Sequence, residues 1–160
     1  MKDKDESPVN AGNLGPVLDF MRLVWAVDHG LAARSKLMET TMGVTGPQRF
    51  VLRVVGRFPK IAAGELAEIL HLHPSTLTGI LRRLESAGLV VRKHDPIDRR
   101  RALFILSPKG KRVDVPSAGT VEDAVKRALS GLRPQEVAAA RTALTSLAAE
   151  LTDAPAAKRR

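Results

Sequence analysis

Between Pro74 and Leu106 the spacing of the apolar residues changes once, and that change narrows the folds open to the chain. Leu77, Ile80, Leu81 and Leu84 recur at the three- and four-residue intervals of one buried helix face, and Gly88 ends the run. Leu89 to Lys93 and Arg99 to Leu106 then read as two strands around the turn His94-Asp95-Pro96-Ile97-Asp98. A helix running directly into a hairpin needs further helices to cover its apolar side, because two strands alone bury too little.

The preceding residues supply them. Leu14, Val17, Leu18, Met21, Val24, Trp25, Leu31 and Met38 predict a long helix that Gly43 stops. Thr45-Gly46-Pro47-Gln48 is a helix start: Thr45 caps, Gln48 reaches back, and Pro47 fits the first turn. Val51, Val54, Val55 and Phe58 form one face of that helix, which Pro59 closes. A third helix over residues 62–70 turns Leu66, Ile69 and Leu70 inward, and His73-Pro74-Ser75-Thr76 opens the fourth. Ser107-Pro108 restarts helix, Pro116 and Gly119 interrupt it, and two further helical stretches cover residues 120–132 and 133–151.

The charge is focused. Net charge is +9, and from His71 to Arg112 there are ten lysines and arginines against Glu85, Asp95 and Asp98. Positive charge of this density favours a polyanion. No apolar run is long enough to span a membrane, and the charged N-terminus carries no apolar signal core, so a cytoplasmic chain is expected. The absence of cysteine excludes disulfides and thiol chemistry. There is no G-x-S-x-G, no phosphate-binding glycine loop and no paired carboxylates, so no enzyme is expected. No cofactor is expected either. His71-x-His73 lacks the ligands to complete a metal set, and a structural or phosphate-facing role suits it better.

Two short helices followed by a charged hairpin predict a mainly α fold with a small β-hairpin wing, a winged helix-turn-helix. The helix from Pro74 leaves Ser75, Thr76, Thr78, Gly79, Arg82 and Arg83 opposite its apolar face, suited to a DNA major groove, with hydroxyls that donate to phosphates or base edges. The hairpin carries Arg99, Arg100 and Arg101 toward a minor groove. Strand alternation would send Arg99 and Arg101 to one side and Arg100 to the other, and Asp98 would hold the Arg100 guanidinium.

In its order of elements the chain resembles the MarR family of transcription regulators. The resemblance rests on Thr45-x-x-Gln48-x-x-x-Leu52, Pro59, Glu65-Leu66-Ala67, Thr76-x-Thr78, Leu84-Glu85-x-x-Gly88-Leu89-Val90-x-Arg92, Asp95-x-x-Asp98-x-Arg100 and Leu106-Ser107-x-x-Gly110, and covers residues 14–151. It implies an obligate homodimer whose first and last helices interleave, each subunit offering one winged helix to a palindromic duplex site. It maps the wing arginine onto Arg100, with Asp98 as its partner, and implies a repressor released by a small ligand or by oxidation. In many members a basic residue stands at Gly79 and an acid at Arg82, which moves the expected contacts of this helix toward phosphate.

The resulting organisation is a disordered tail (1–12), a first dimerisation helix (13–43), the winged helix-turn-helix (44–108), C-terminal dimerisation helices (109–153) and a basic tail (154–160). By the same resemblance an effector sits where the first helix meets the DNA-binding lobe. Trp25 and His29 share a helix face there, and Arg49 and Arg53 would meet an anionic ligand, an apolar one being the alternative. A reading from another class is a winged-helix interaction module whose basic hairpin holds an acidic protein.

Overall fold

The structure, a computed structural model, describes residues 14–98 and 100–152; the expected tails at 1–12 and 154–160, and Arg99, lie outside the described residues. Helix α1 (Gly15–Met42) ends where Gly43 adopts φ 71° and donates its N–H to the Glu39 carbonyl. Helix α2 (Gly46–Arg57) starts with the predicted capping box. Thr45 Oγ1 accepts from Gln48 N–H at 3.3 Å, and Gln48 Oε1 accepts from Thr45 N–H at 2.9 Å. Ser35 Oγ accepts from Gly46 N–H at 2.8 Å, which ties α1 to the start of α2.

After a turn with Lys60 at φ 68°, the two-residue strand β1 (Ile61–Ala62) leads into α3 (Ala63–Leu70). His71, at φ 50°, ends α3. Helix α4 (Pro74–Ser86) follows, then β2 (Val90–His94) and β3 (Ala102–Leu106). The strands form one antiparallel sheet in the order β1-β3-β2, with Phe104 opposite Ile61 on one side and Arg92 on the other. Sequence reasoning found the hairpin but not β1, which is too short to show a period. It also began the second strand three residues early.

Val51, Leu52, Val55, Leu66, Leu77, Leu81, Leu84, Leu89, Val90 and Phe104 make the core. Side chains as fully enclosed as Leu52, Leu66, Leu77 and Leu84 each contribute roughly 1.5–3 kcal/mol by leaving water. Phe58 and Ile69, expected inward, are half exposed instead. Helix α2 stops at Arg57, so Phe58 occupies the cap position and turns away from the face that Val51 and Val55 share. Phe58 and Ile69 flank a shallow cavity of about 490 Å³ with Pro59, Ile61 and Glu65.

Helix α5 (Pro108–Val113) is joined to the end of α4. Ser107 Oγ donates to the Gly88 carbonyl at 2.6 Å and accepts from Gly110 N–H at 2.9 Å, and Lys109 Nζ donates to the Ala87 carbonyl at 2.8 Å. Gly110 packs so closely that a Cβ there would fall on the Leu89 carbonyl oxygen.

The predicted break after α5 is present. The chain divides into two compact units after Val121, and α5 packs on β3 within the first. The second unit holds α6 (Val121–Ser130) and α7 (Pro134–Thr152). Arg127 pairs with Asp123 on α6, and Glu136 accepts from the Arg133 backbone and guanidinium at 2.8 Å each. No helix among the described residues is long and apolar enough to cross a membrane.

Candidate nucleic-acid interface

Helix α4 starts at the expected His73-Pro74-Ser75-Thr76, and the cap is the His73 ring itself. His73 Nδ1 accepts from Ser75 N–H at 3.3 Å and lies 2.7 Å from Ser75 Oγ. With Nδ1 the acceptor, the proton sits on Nε2 and the Ser75 hydroxyl donates to the ring. The signal was available in the run His73-Pro74-Ser75, since proline favours the first helical turn and needs a capped residue before it. His71 and His73 therefore end one helix and begin the next.

Ser75, Thr76, Thr78, Gly79, Arg82 and Arg83 are all exposed on α4, while Leu77, Leu81 and Leu84 anchor its other face. The expected hydroxyl donors differ in one respect. Thr78 Oγ1 donates to the Pro74 carbonyl at 2.8 Å, so its outward lone pairs accept. Ser75 donates to His73. Thr76 is the one of the three with no intramolecular partner among the described residues. Above Gly79 there is open space.

The wing turn is built by its two aspartates. Asp95 Oδ1 accepts from Ile97 N–H at 2.8 Å and Asp98 Oδ1 from Arg100 N–H at 3.0 Å. Arg101 N–H donates to the Asp98 carbonyl, and Asp95 N–H to the Arg101 carbonyl. These bonds, and not strand alternation, direct Arg100 and Arg101, because β3 begins only at Ala102. The Arg100 side chain is 98% exposed at the tip, its Nε 3.9 Å from Asp98 Oδ1. Asp98 thus fixes the backbone of Arg100 more firmly than its guanidinium. Arg101, expected to reach outward with Arg99, instead turns back: its Nη2 donates to Glu65 Oε1 at 2.7 Å, and its Nη1 lies 4.0 Å from Asp95 Oδ2.

Glu65 is a second residue that sequence reasoning left unassigned. Its other oxygen accepts from Ala62 N–H at 2.9 Å, closing the first turn of α3. That backbone N–H, and then the Arg101 guanidinium, hold the Glu65 carboxyl below the usual carboxylate range. The signal was its position three residues after the cap of α3.

The four expected effector residues meet different surroundings. Arg49 is 1% exposed, and its guanidinium donates to the carbonyls of Val113 at 2.9 Å and Val115 at 2.7 Å. Arg53 donates to the carbonyl and carboxylate of Asp114. Both arginines donate to the end of α5 and the segment that follows it, at Val113, Asp114 and Val115. Trp25 and His29 lie on the exposed surface of α1.

The arrangement presents a capped helix end and an arginine-tipped turn on one small domain. The MarR family profile matches residues 44–102, the stretch that holds both. The transcriptional regulator HosA of Escherichia coli O111:H- is 34% identical over 91 residues, 55% of this chain and 67% of that protein. The organic hydroperoxide resistance transcriptional regulator of Bacillus subtilis (strain 168) is 30% identical over 104 residues, 62% of this chain and 69% of that protein. Among solved structures, the S. aureus MepR–DNA complex superposes with TM-score 0.69 at 19% identity, over 82% of this chain and 97% of that one, a likeness of fold. The chain belongs to the MarR family of DNA-binding transcriptional regulators.

Proposed function

We propose that the chain acts as a homodimeric repressor on a palindromic duplex, with no catalytic role, in the cytoplasm. The N-terminal half of α4 enters the major groove, where Thr76 donates, Ser75 and Thr78 accept, and Arg82 and Arg83 meet phosphate. Arg100 of each wing enters the adjoining minor groove. The observation that carries this reading is the Arg100 side chain, almost fully exposed on a backbone that Asp98 fixes. A guanidinium with no firm partner of its own, held on an ordered turn, loses little on meeting a phosphate or base edge.

Dimerisation is supported by apolar side chains that each unit leaves in water. On α1 these include Val17, Leu18, Phe20, Leu23 and Trp25; on α6 and α7 they include Val125, Leu129 and Leu144. Patches of this kind on a monomer mark contact surfaces. A small effector that releases the repressor is the finer part of the proposal. It rests on Trp25 and His29 alone, because the arginines of α2 are engaged elsewhere.

The test is enrichment of binding sites from a random duplex library, followed by gel shift and sedimentation. The expected result is a dimer and an inverted repeat with half-sites about one helical turn apart. A chain that stays monomeric at micromolar concentration, or that enriches no duplex, overturns the reading. Capture of an acidic protein in place of DNA would favour the interaction-module alternative.

A further inference from the structure

Arg100 and Arg101 are adjacent cations, yet they meet different surroundings. Arg100 points into solvent, whereas Arg101 is held through both its backbone and its side chain. Its N–H and its carbonyl both close the wing turn, through Asp98 and Asp95. Its guanidinium crosses to Glu65, 36 residues away in sequence, at 2.7 Å. Glu65 in turn is not a mobile surface acid. It closes the first turn of α3 through Ala62 N–H, and α3 is anchored in the core by Leu66, Ala67 and Leu70. One carboxylate therefore holds a helix start with one oxygen and the root of the wing with the other.

We propose that Arg101 is a positioning residue for DNA binding: paired with Glu65, it tethers the wing turn to α3 and so sets where Arg100 is delivered, and it does not itself neutralise a phosphate. The proposal rests on the DNA-binding role of the wing. Two features give it force. The tether acts at the last residue before β3, so it constrains the turn and not the strand pairing. The pair is also half exposed, with side-chain accessibilities of 47% and 53%, so its strength lies in the surface range and a single neutral substitution releases it without unfolding the domain.

The experiment uses the full chain with a duplex enriched by the unaltered protein, and compares R100A, R101Q, E65Q and E65Q/R101Q. Glutamine at position 65 keeps an acceptor for Ala62 N–H, so α3 retains its start. Affinity is read across a salt series. R100A should lower the magnitude of the log K against log[salt] slope by about 0.9, as expected for one lost phosphate contact. R101Q and E65Q should each weaken binding by about two- to fivefold with the slope unchanged, and the double variant should lose no more than either alone. A slope reduced in R101Q as in R100A would make Arg101 a DNA contact and overturn the proposal. So would E65Q binding as well as, or better than, the unaltered chain, or losses that add in the double variant.

A second measurement needs no DNA. Trypsin cleavage after Arg99 and Arg100 should quicken by about two- to fivefold in E65Q, in line with the pair's contribution to holding the turn closed. Unchanged cleavage removes the tether. Faster cleavage in E65Q, in a chain that binds no duplex, would leave the tether standing and sink the DNA reading instead.

Discussion

Arg53 Nη1 lies 2.7 Å from both the carboxylate and the backbone carbonyl of Asp114, so one guanidinium nitrogen holds the residue at which α5 stops. Arg49, one helical turn earlier, takes the carbonyls on either side, at Val113 and Val115. Gly56 completes the site, since a Cβ there would fall on the Asp114 carboxylate. The last carbonyls of a helix have no partner within it; here Arg49 reaches the last of them, at Val113, and the two arginines take the two carbonyls that follow. The segment that follows α5 is therefore held by α2, the helix that opens the winged domain.

Replacing Arg49 with methionine tests this attachment. Methionine fills much of the same space but leaves both carbonyls without their charged donor. The Val115 carbonyl can turn to water, while that of half-buried Val113 can do so less well. A loss of about 2–3 kcal/mol in unfolding free energy is expected, in the range for hydrogen bonds to charged groups. Urea denaturation at constant m-value measures it. A loss below about 0.5 kcal/mol would mean that the arginine only fills space.

Two glycines should respond in opposite ways. Gly110 has no room for a side chain beside the Leu89 carbonyl, and the obstacle is backbone that cannot swing aside. Gly110→Ala should cost about 3 kcal/mol or more, or abolish folding, as overpacking against fixed atoms does. Gly79 faces open space on exposed helix. Gly79→Ala should raise stability by about 0.5–1 kcal/mol through the unfolded chain's lost freedom. Thermal melts of both variants decide, and equal effects would contradict the packing around Gly110.

Arg100→Lys separates charge from shape. Lysine keeps the cation but loses the planar fork that fits between groove walls. Binding to the enriched duplex should weaken while its salt slope stays near that of the unaltered chain, because the phosphate neutralisation count is preserved. The melting temperature should not move, since this side chain is almost fully exposed. Affinity equal to that of the unaltered chain would show that only charge matters at the tip.

Local chemistry was legible in the sequence, and long-range pairing was not. Thr45 and Gln48 are three residues apart, and that spacing alone specifies their reciprocal bonds. Gly43 and Gly88, both at positive φ, end α1 and α4 as their positions implied. Strand β1 was invisible because two residues carry no period. Arg49 and Arg53, four apart on a helix, looked like a cationic lining for a ligand, and only their partners, more than sixty residues on, give them another role. Arg101 was separated from Arg100 by strand alternation and by the family resemblance, but its inward partner was hidden for the same reason: Glu65 lies 36 residues away in sequence.

The Glu65 contact also makes a pH prediction whose sign can be worked out. In the folded chain the Ala62 N–H and the Arg101 guanidinium favour the ionised carboxyl, so its pKa lies below the ordinary value of 4.5. The unfolded chain therefore takes up the proton first as pH falls, and stability declines wherever the unfolded state binds more protons. The contribution is complete above 4.5 and fades as pH drops through the lower folded value. Glu136, held down by Arg133, adds a decline of the same sign in the second unit. Urea unfolding of the unaltered chain and of Glu65→Gln, compared from about pH 7 to about pH 3, isolates the first term. The unaltered chain should be the more stable at neutral pH, with the difference constant down to the ordinary carboxylate range and closing below it. A difference that stays level through the acid range, or widens there, would show that Glu65 does not hold its two partners as ionised carboxylate.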